Sequence, residues 1–148
     1  MYNHKALCWI NNKIIPANQA SISVFDHGFL YGDGVFEGIR FYHNTPFRLD
    51  AHLHRLADSA QAIALTMPSS LSALEKAIVQ LIHRFEGEHG YIRLIITRGK
   101  GCLGINPKNC KQPTTVIIVD SLNMVDSDTR KEVYTSSQPQ HANLRLMV

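Results

Sequence analysis

The stretch from residue 28 to residue 44, GFLYGDGVFEGIRFYHN, constrains the fold of this chain most strongly. Four glycines stand in its first eleven residues, yet aromatic and charged residues alternate with them. Flexible linkers lack such aromatic residues, and a phosphate-binding loop would be followed by a Lys-Ser/Thr pair that is absent here. We therefore expect Gly32 and Gly34 to allow a sharp turn that leads into a strand from Val35 to Tyr42.

Side chains on that strand alternate between two faces. One face combines an aromatic ring, a glycine and a cation, namely Phe36, Gly38 and Arg40. The other face carries Val35, Glu37 and Ile39. A glycine-rich hairpin with core aromatic residues would explain the strand, but not a cation on the same face as Phe36.

Two hairpins are expected in the first third of the chain. The segment ALCWINNKIIPA, residues 6–17, predicts one that turns at Asn11 and Asn12, since asparagine tolerates the positive φ of a tight turn. The strand from Val35 to Tyr42 predicts a second, with its turn at residues 43–46 and its return at residues 47–49.

Two amphipathic helices follow. Asp50 is expected to cap the first helix, and Ser72 with Glu75 has the spacing of a capping box for the second. Gly87 is the expected C-cap of the second helix. The predicted apolar face of the first helix comprises Leu53, Leu56, Ala60, Ile63 and Ala64. The predicted apolar face of the second comprises Leu74, Ile78, Leu81, Ile82 and Phe85.

The remaining segments predict strands again. One begins at Tyr91, a loop rich in Gly, Lys, Asn and Pro follows, and TTVIIVDSL and the weaker EVYTSS come next. Strands and helices are segregated rather than alternating, which is typical of an α+β fold. We expect an N-terminal α+β domain over residues 1–121. Residues 122–148 then form an interdomain segment and, in ANLRLMV, the first strand of a C-terminal domain of a longer chain.

Composition excludes several classes of function. The net charge of the 148 residues is only +3, and no cluster of basic residues supports nucleic-acid binding. No apolar run is long enough to suggest a membrane span. Three cysteines are an odd number without metal-like spacing, so we expect free thiols in a reducing compartment, the cytoplasm. His52 and His54 have no further ligand at a suitable spacing, so no metal site is expected.

Four blocks in the right order carry a resemblance to a known family: YGDGVFEGIR, HLHRLADSA, YIRLIITRGKGCLGINP and CKQPTTVIIV. They resemble the N-terminal half of class IV (fold type IV) pyridoxal-phosphate enzymes. That family comprises branched-chain aminotransferases, D-amino-acid aminotransferases and aminodeoxychorismate lyases. The resemblance implies pyridoxal 5'-phosphate as cofactor, a homodimer, and an antiparallel-rich sheet with two helices on one side.

The resemblance also implies roles for particular residues. Arg55 matches the family's phosphate-binding arginine, although a solvated residue on the edge of a helix would look the same in sequence. Tyr91 and Arg93 match a pair that recognises substrate carboxylates, although an amphipathic strand with its polar side in water would show the same pattern. The residues expected to line the substrate pocket are Tyr31, Phe36, Gly38, Arg40, Leu103 and Ile105. Gly38 is expected to leave room for a substrate side chain.

The catalytic lysine of the family has no match in this chain. None of the seven lysines lies in the expected context, an apolar strand followed by Lys, a small or polar residue and Asn-Leu. ANLRLMV resembles that strand, so the lysine that forms a Schiff base with the cofactor is expected directly after Val148.

The favoured function is a branched-chain-type aminotransferase that moves an amino group between an L-amino acid and 2-oxoglutarate. The D-amino-acid subtype is disfavoured, because Phe36 replaces a tyrosine and the residues from Leu103 to Ile105 replace an Arg-x-His motif. Aminodeoxychorismate lyase, which eliminates pyruvate, is the alternative, and a non-catalytic partner-binding domain is a remote one. In the expected homodimer, the loop from Gly99 to Pro113 reaches the partner's active site.

Overall fold

The computed structural model describes residues 5–121 of the chain. Six strands run in the order β1 (Leu7–Ile10), β2 (Lys13–Pro16), β3 (Gly34–Tyr42), β4 (Thr45–Pro46), β5 (His89–Thr97) and β6 (Thr114–Asp120). The α-helices are α1 (His27–Tyr31), α2 (Leu49–Ala62) and α3 (Leu71–Arg84). Short 3-10 turns lie at Ala17–Gln19 and Pro107–Asn109. The strands predicted at EVYTSS and ANLRLMV lie outside the described residues.

The six strands form one sheet in the order β2-β1-β6-β5-β3-β4. Every pairing between neighbours is antiparallel. Helices α2 and α3 pack on one face of the sheet and enclose the hydrophobic core with it. The predicted α+β class and the antiparallel sheet with two helices on one side are confirmed. Within residues 5–121, no helix has both the length and the apolar character needed to cross a membrane.

The predicted alternation along β3 is confirmed. Val35, Ile39 and Phe41 are buried against the helices, and Glu37 lies on the same face. The strand pairs with β5 in a register that sets Gly38 opposite Arg93 and aligns the equivalent faces of the two strands. The opposite face of the sheet, which we call the open face, therefore carries the side chains of residues 36, 38 and 40 beside those of 91 and 93.

Both hairpin turns use two residues with positive φ. Asn11 and Asn12 have φ values of 44° and 72°, which confirms the first predicted turn. In the second hairpin, His43 and Asn44 have φ values of 48° and 59°. Such a two-residue turn starts the return strand immediately, so β4 is Thr45–Pro46. The return predicted at residues 47–49 is wrong.

The predicted helix caps are also wrong. Helix α2 begins at Leu49 after Arg48, whose backbone is left-handed and whose side chain makes no capping bond, so Asp50 lies in the first turn. Helix α3 is capped by Ser70, whose side chain accepts a hydrogen bond from the Ala73 amide, and the capping box at Ser72 and Glu75 does not form. Its C-cap is Phe85 in an extended conformation rather than Gly87.

The end of α2 differs from the prediction because of an arginine that directly follows β5. Helix α2 ends at Ala62, and Ile63 and Ala64 are exposed instead of lying on the buried face. Arg98 donates to the carbonyl oxygens of Ile63 and Ala64 at 2.9 and 2.7 Å. It also forms a two-pronged ion pair with Asp33, with both contacts at 2.9 Å. Arg98 thereby links the end of α2 to the start of β3.

Helix α1 was not among the elements predicted from the sequence. Asp26 caps this five-residue helix by accepting from the Gly28 amide at 2.8 Å. Gly32 ends it in the left-handed conformation, with φ of 68°, and so provides the sharp turn expected there. Hydrophobic periodicity cannot reveal a helix of barely more than one turn.

The position of the α3 cap can be tested by two serine substitutions. Ser70→Ala removes the side-chain acceptor of the Ala73 amide and should lower the free energy of unfolding by about 1 kcal/mol. Ser72→Ala changes an exposed residue inside the helix and should alter stability by less than about 0.5 kcal/mol. Urea unfolding of the full-length protein measures both. A larger loss for Ser72→Ala than for Ser70→Ala would contradict the observed cap.

Candidate functional site

An arginine stacked on an aromatic ring dominates the open face of the sheet. The Arg93 guanidinium carbon lies 3.6 Å from the centroid of the Phe36 ring. One terminal nitrogen of Arg93 donates to the Tyr91 hydroxyl at 3.2 Å. Stacking occupies the flat surface of a guanidinium and leaves N–H groups at its rim for a planar acceptor such as a carboxylate. The two residues that the sequence placed on one face thus form one unit with Phe36.

Gly38 has a different role from the one expected. A β-carbon at this position would collide with the Tyr91 hydroxyl, so the phenol already fills the space above the glycine. Gly38 therefore makes room for the Tyr91 side chain, and the structure does not show the free space for a substrate side chain that the sequence suggested.

Arg40 presents an unsatisfied donor on the open face. Its guanidinium carbon lies 5.4 Å from the centroid of the Tyr42 ring. Its Nε is buried and has no hydrogen-bond partner within residues 5–121. A buried donor without a partner is costly, so the site favours an acceptor there.

A buried carboxylate lies on the helix side of the same strand. Glu37 is 5% exposed, and the guanidinium of Arg55 binds both of its oxygens. Nε of Arg55 donates to Oε1 at 2.7 Å, and Nη2 donates to Oε2 at 2.6 Å. Nδ1 of His52 lies 2.8 Å from Oε2 and acts as the donor, because a carboxylate only accepts. Glu37 thus holds the side chains of Arg55 and His52, both on α2, in fixed positions.

This arrangement shifts the acidities of both partners. The hydrogen bond from Arg55 is the largest cause that lowers the pKa of the Glu37 carboxyl, and the bond from His52 acts in the same direction. Burial of the carboxyl opposes them. The hydrogen bond to Glu37 in turn raises the pKa of Arg55. Glu37 is therefore ionised at neutral pH despite its burial.

Arg55 retains capacity for a second anion. Its side chain is 65% exposed, and Nη1 has no hydrogen-bond partner among the residues that the structure describes. It borders a groove of about 410 Å³ whose lining is Phe47, Arg48, Ala51, His52 and Arg55. Two guanidinium groups beside apolar walls form a donor set that suits a phosphate dianion. The residues present therefore fit a phosphate group at Arg55.

The two sets of side chains lie on opposite faces and meet at one edge of the sheet. Strand β4 pairs with Phe41 and Tyr42, and the Phe47 amide adds one bond to the Arg40 carbonyl at 2.8 Å. Among the described strands, none pairs with residues 34–39 of β3 on that side. This stretch of the edge is therefore open within residues 5–121.

A second cluster joins α1 to the loop over residues 99–113. The Gly104 amide donates to the Tyr31 hydroxyl at 2.8 Å, and Nε2 of the buried His27 donates to the Cys102 carbonyl at 2.9 Å. Leu103 and Ile105 remain 72% and 83% exposed. The loop is thus anchored to its own chain at α1 while its two apolar side chains point away. No described hydrogen bond, ion pair or ring contact joins Tyr31, Leu103 or Ile105 to Phe36 or Arg93.

Asp26 holds this second cluster to the sheet. Its Oδ2 accepts from the hydroxyl groups of Thr97 and Thr114 at 3.0 and 2.8 Å, and only 1% of the residue is exposed. Asp26 was not among the residues predicted from the sequence, and no partner was predicted for Glu37. A carboxylate between Val35 and Ile39 on an apolar face nevertheless indicates that a cation lies opposite it.

The sequence also led to predictions for the three cysteines and for two histidines of α2. Cys8, Cys102 and Cys110 are free thiols, as predicted. His52 is bound to Glu37, whereas Nδ1 of His54 lies 2.9 Å from the Asp50 carbonyl oxygen, so these two histidines bind different groups.

Known proteins that resemble this chain include both aminotransferases and a lyase. The family model described as Amino-transferase class IV matches residues 34–147. The putative branched-chain-amino-acid aminotransferase of Methanocaldococcus jannaschii is 41% identical over 110 residues, which are 74% of this chain and 38% of the relative. The aminodeoxychorismate lyase of Bacillus subtilis is 30% identical over 128 residues, 85% of this chain and 44% of the relative.

The solved structures agree with the sequence relatives. The branched-chain aminotransferase of Thermoproteus uzoniensis, crystallised with norvaline, superposes with a TM-score of 0.72 at 29% identity, over 79% of this chain and 41% of that one. A branched-chain amino acid aminotransferase complexed with N-(5'-phosphopyridoxyl)-L-glutamate superposes with a TM-score of 0.73 at 32% identity, over 78% of this chain and 40% of that one. This chain therefore spans less than half the length of the relatives that it matches.

The Glu37–Arg55 pair predicts a response to acid. A lowered carboxyl pKa adds stability at pH values above the unfolded value of 4.5, and this stability is lost as the pH falls through the lower folded value. Glu37→Gln should thus be less stable than the wild type at neutral pH, and the gap should narrow in acid. Thermal unfolding between about pH 3 and pH 7 measures the gap. Glu75→Gln, an exposed glutamate on α3, is the control, and an equal effect there would contradict the assignment.

Proposed function

The chain belongs to the class IV aminotransferases, and on that premise we propose that it is part of a pyridoxal-phosphate-dependent aminotransferase of branched-chain type. The observation that carries the proposal is the Arg93 guanidinium stacked on Phe36 with Tyr91 beside it. An apolar wall and a cation on one face suit a site that must accept both an aliphatic side chain and a carboxylate. We propose an L-amino acid as amino donor and 2-oxoglutarate as acceptor.

In this proposal the open face binds the substrate. Arg93 binds the side-chain carboxylate of glutamate or 2-oxoglutarate, and the Tyr91 hydroxyl keeps the guanidinium in place. Phe36 packs against the aliphatic part of the substrate, since burial of apolar area contributes roughly 25 cal/mol per Å². Arg40, whose buried Nε lacks an acceptor within residues 5–121, is the second cation available to a carboxylate.

Arg55 holds the phosphate of the cofactor in this proposal. Pyridoxal phosphate, when bound, supplies the electron sink that amino-group transfer requires. Glu37 keeps Nε and Nη2 of Arg55 engaged, so the guanidinium meets the phosphate with its remaining donors in a fixed orientation. Arg48 and His52 line the same groove and add positive charge or donors there.

The lysine that bears the cofactor remains a proposal. It is expected directly after Val148, which lies outside the described residues. The lysines that the structure describes are Lys5, Lys13, Lys76, Lys100, Lys108 and Lys111, and none of them belongs to β3, β5 or the groove at Arg55. In this proposal the open face and the groove supply binding and orientation, and the proton-transferring lysine comes from outside residues 5–121.

We also propose a homodimer in which the loop over residues 99–113 covers the partner's site. Leu103 and Ile105 support it, because the loop is anchored on α1 while these two side chains stay exposed. Sedimentation equilibrium tests the proposed homodimer, with the same samples that are used for the rate measurements below. A fully active monomer would contradict the proposal. The three free thiols support a reducing compartment, and we propose the cytoplasm.

Aminodeoxychorismate lyase is the second candidate. The lyase relative matches 85% of this chain, more than the 74% matched by the branched-chain relative. The same open face could bind the carboxylates of a chorismate-derived substrate.

The role of Arg55 can be tested by cofactor binding alone. Arg55→Ala should weaken the affinity for pyridoxal phosphate on the order of 10- to 100-fold, because charge-assisted bonds to phosphate are lost. Arg55→Lys keeps a cation for Glu37 but loses the planar guanidinium that can bind two oxygens at once. Its cofactor affinity should therefore lie between those of the wild type and Arg55→Ala. Absorbance titration of the cofactor-free, full-length protein measures all three. Arg84→Ala, an exposed arginine on α3, is the control, and unchanged affinity in Arg55→Ala would return Arg55 to a purely structural role.

The function itself is tested by the two half-reactions. Arg93→Met should impair the glutamate half-reaction more than the leucine half-reaction, by about 2–4 kcal/mol in transition-state binding. Single-turnover rates of the full-length protein with each amino acid measure the difference. An equal fall in both would assign Arg93 to the α-carboxylate or to the fold. If neither amino acid reacts and aminodeoxychorismate yields pyruvate, the lyase is the function.

A further inference from the structure

Three side chains that carry metal-binding atoms meet at one end of the sheet, and none of them is assigned to substrate or cofactor. They are His43 in the β3–β4 turn, Glu88 just before β5, and His89 at its start. One ligand atom from each lies within 4.8 Å of the other two. Nδ1 of His43 is 3.7 Å from Oε2 of Glu88, and the two imidazole centroids are 4.6 Å apart.

The backbone fixes these positions. Tyr42 pairs with His89 in the β3–β5 register, and the Asn44 amide donates to the Glu88 carbonyl at 3.0 Å. The turn between them is the tight one in which His43 and Asn44 both have positive φ. His43 therefore points at the start of β5 because of the turn geometry, and Glu88 and His89 are held there by strand pairing.

We propose that His43, Glu88 and His89 form a surface site for a divalent transition-metal ion, with Zn²⁺ as the representative. Two imidazoles and a carboxylate are a common zinc ligand set, and water completes the coordination. Metal–ligand bonds of about 2.0–2.2 Å place tetrahedral ligands roughly 3.3 Å apart, so ligand atoms that now lie within 4.8 Å of one another must move closer by up to about 1.5 Å. His43 and Glu88 are 80% and 72% exposed, which leaves their rotamers free to do so.

The ligand chemistry distinguishes this site from a simple surface ion pair. An exposed His–Glu pair alone contributes little, whereas imidazole nitrogens discriminate strongly among cations. Mg²⁺ prefers an all-oxygen octahedral shell and should not bind two imidazoles. No sequence motif indicates the site, because His43 lies 45 positions before Glu88 and is brought to it only by the pairing of β3 with β5.

Calorimetric titration of the full-length, cofactor-loaded protein with Zn²⁺ tests the proposal, provided that no polyhistidine tag remains. The wild type should bind one Zn²⁺ ion. His43→Asn and Glu88→Gln should each bind it at least about tenfold more weakly, because each variant loses a metal ligand. Even the loss of a group that only orients a ligand weakens metal affinity by about 10- to 100-fold. His43→Asn suits this test because asparagine tolerates the positive φ of the turn and removes the imidazole. Mg²⁺ titrated in the same way should give no binding at this site.

His54→Ala is the matched control, because His54 is an exposed histidine beside a carboxylate, Asp50, in another part of the chain. It should bind Zn²⁺ like the wild type. Zn²⁺ should also raise the melting temperatures of the wild type and of His54→Ala. The increase should be smaller for His43→Asn and Glu88→Gln. Equal Zn²⁺ affinity in all four proteins, or an equal loss in His54→Ala, would overturn the proposal.

Discussion

The ionised carboxylate of Glu37 is the constraint on which the arrangement of sheet and helix depends. A charge on the core face of a strand is costly unless it is paired and fully hydrogen-bonded. Arg55 and His52 meet that need, and because they stand three residues apart they lie on one face of α2. Helix α2 must therefore cross β3 with that face toward Glu37. The same contact that fixes the helix also orients the guanidinium that borders the groove.

Strand β3 serves two purposes because its side chains alternate. Its even-numbered residues from 36 to 40 build the open face with Tyr91 and Arg93, and its odd-numbered residues build the core and the Glu37 pair. Because β4 is short, the edge of β3 over residues 34–39 stays unpaired within the described part of the chain. In the proposed function this open edge leaves room for a ligand that touches both faces.

Features set by periodicity were predicted best from the sequence, and features set by contacts between distant residues were predicted least. The faces of β3 and β5 depend on period two alone, and four ordered blocks identified the family. The helix starts were misplaced because aspartate and serine are both good N-cap residues, and such residues stand at Asp50, Ser70 and Ser72. The path by which the chain enters each helix decides which residue is the cap, and tertiary packing sets that path. The partner of Glu37 lies 18 positions away, and the phenol over Gly38 comes from another strand, so neither could be read from local pattern.

Arg98 has a consequence for how the domain opens locally. Its side chain makes two hydrogen bonds to Asp33 at the start of β3 and two to the last carbonyls beyond α2. Neither segment can detach without leaving this largely buried guanidinium short of acceptors. We therefore expect the end of α2 and the beginning of β3 to exchange their amide protons as one cooperative unit, although the rest of β3, all of β4 and most of α2 lie between them in the chain.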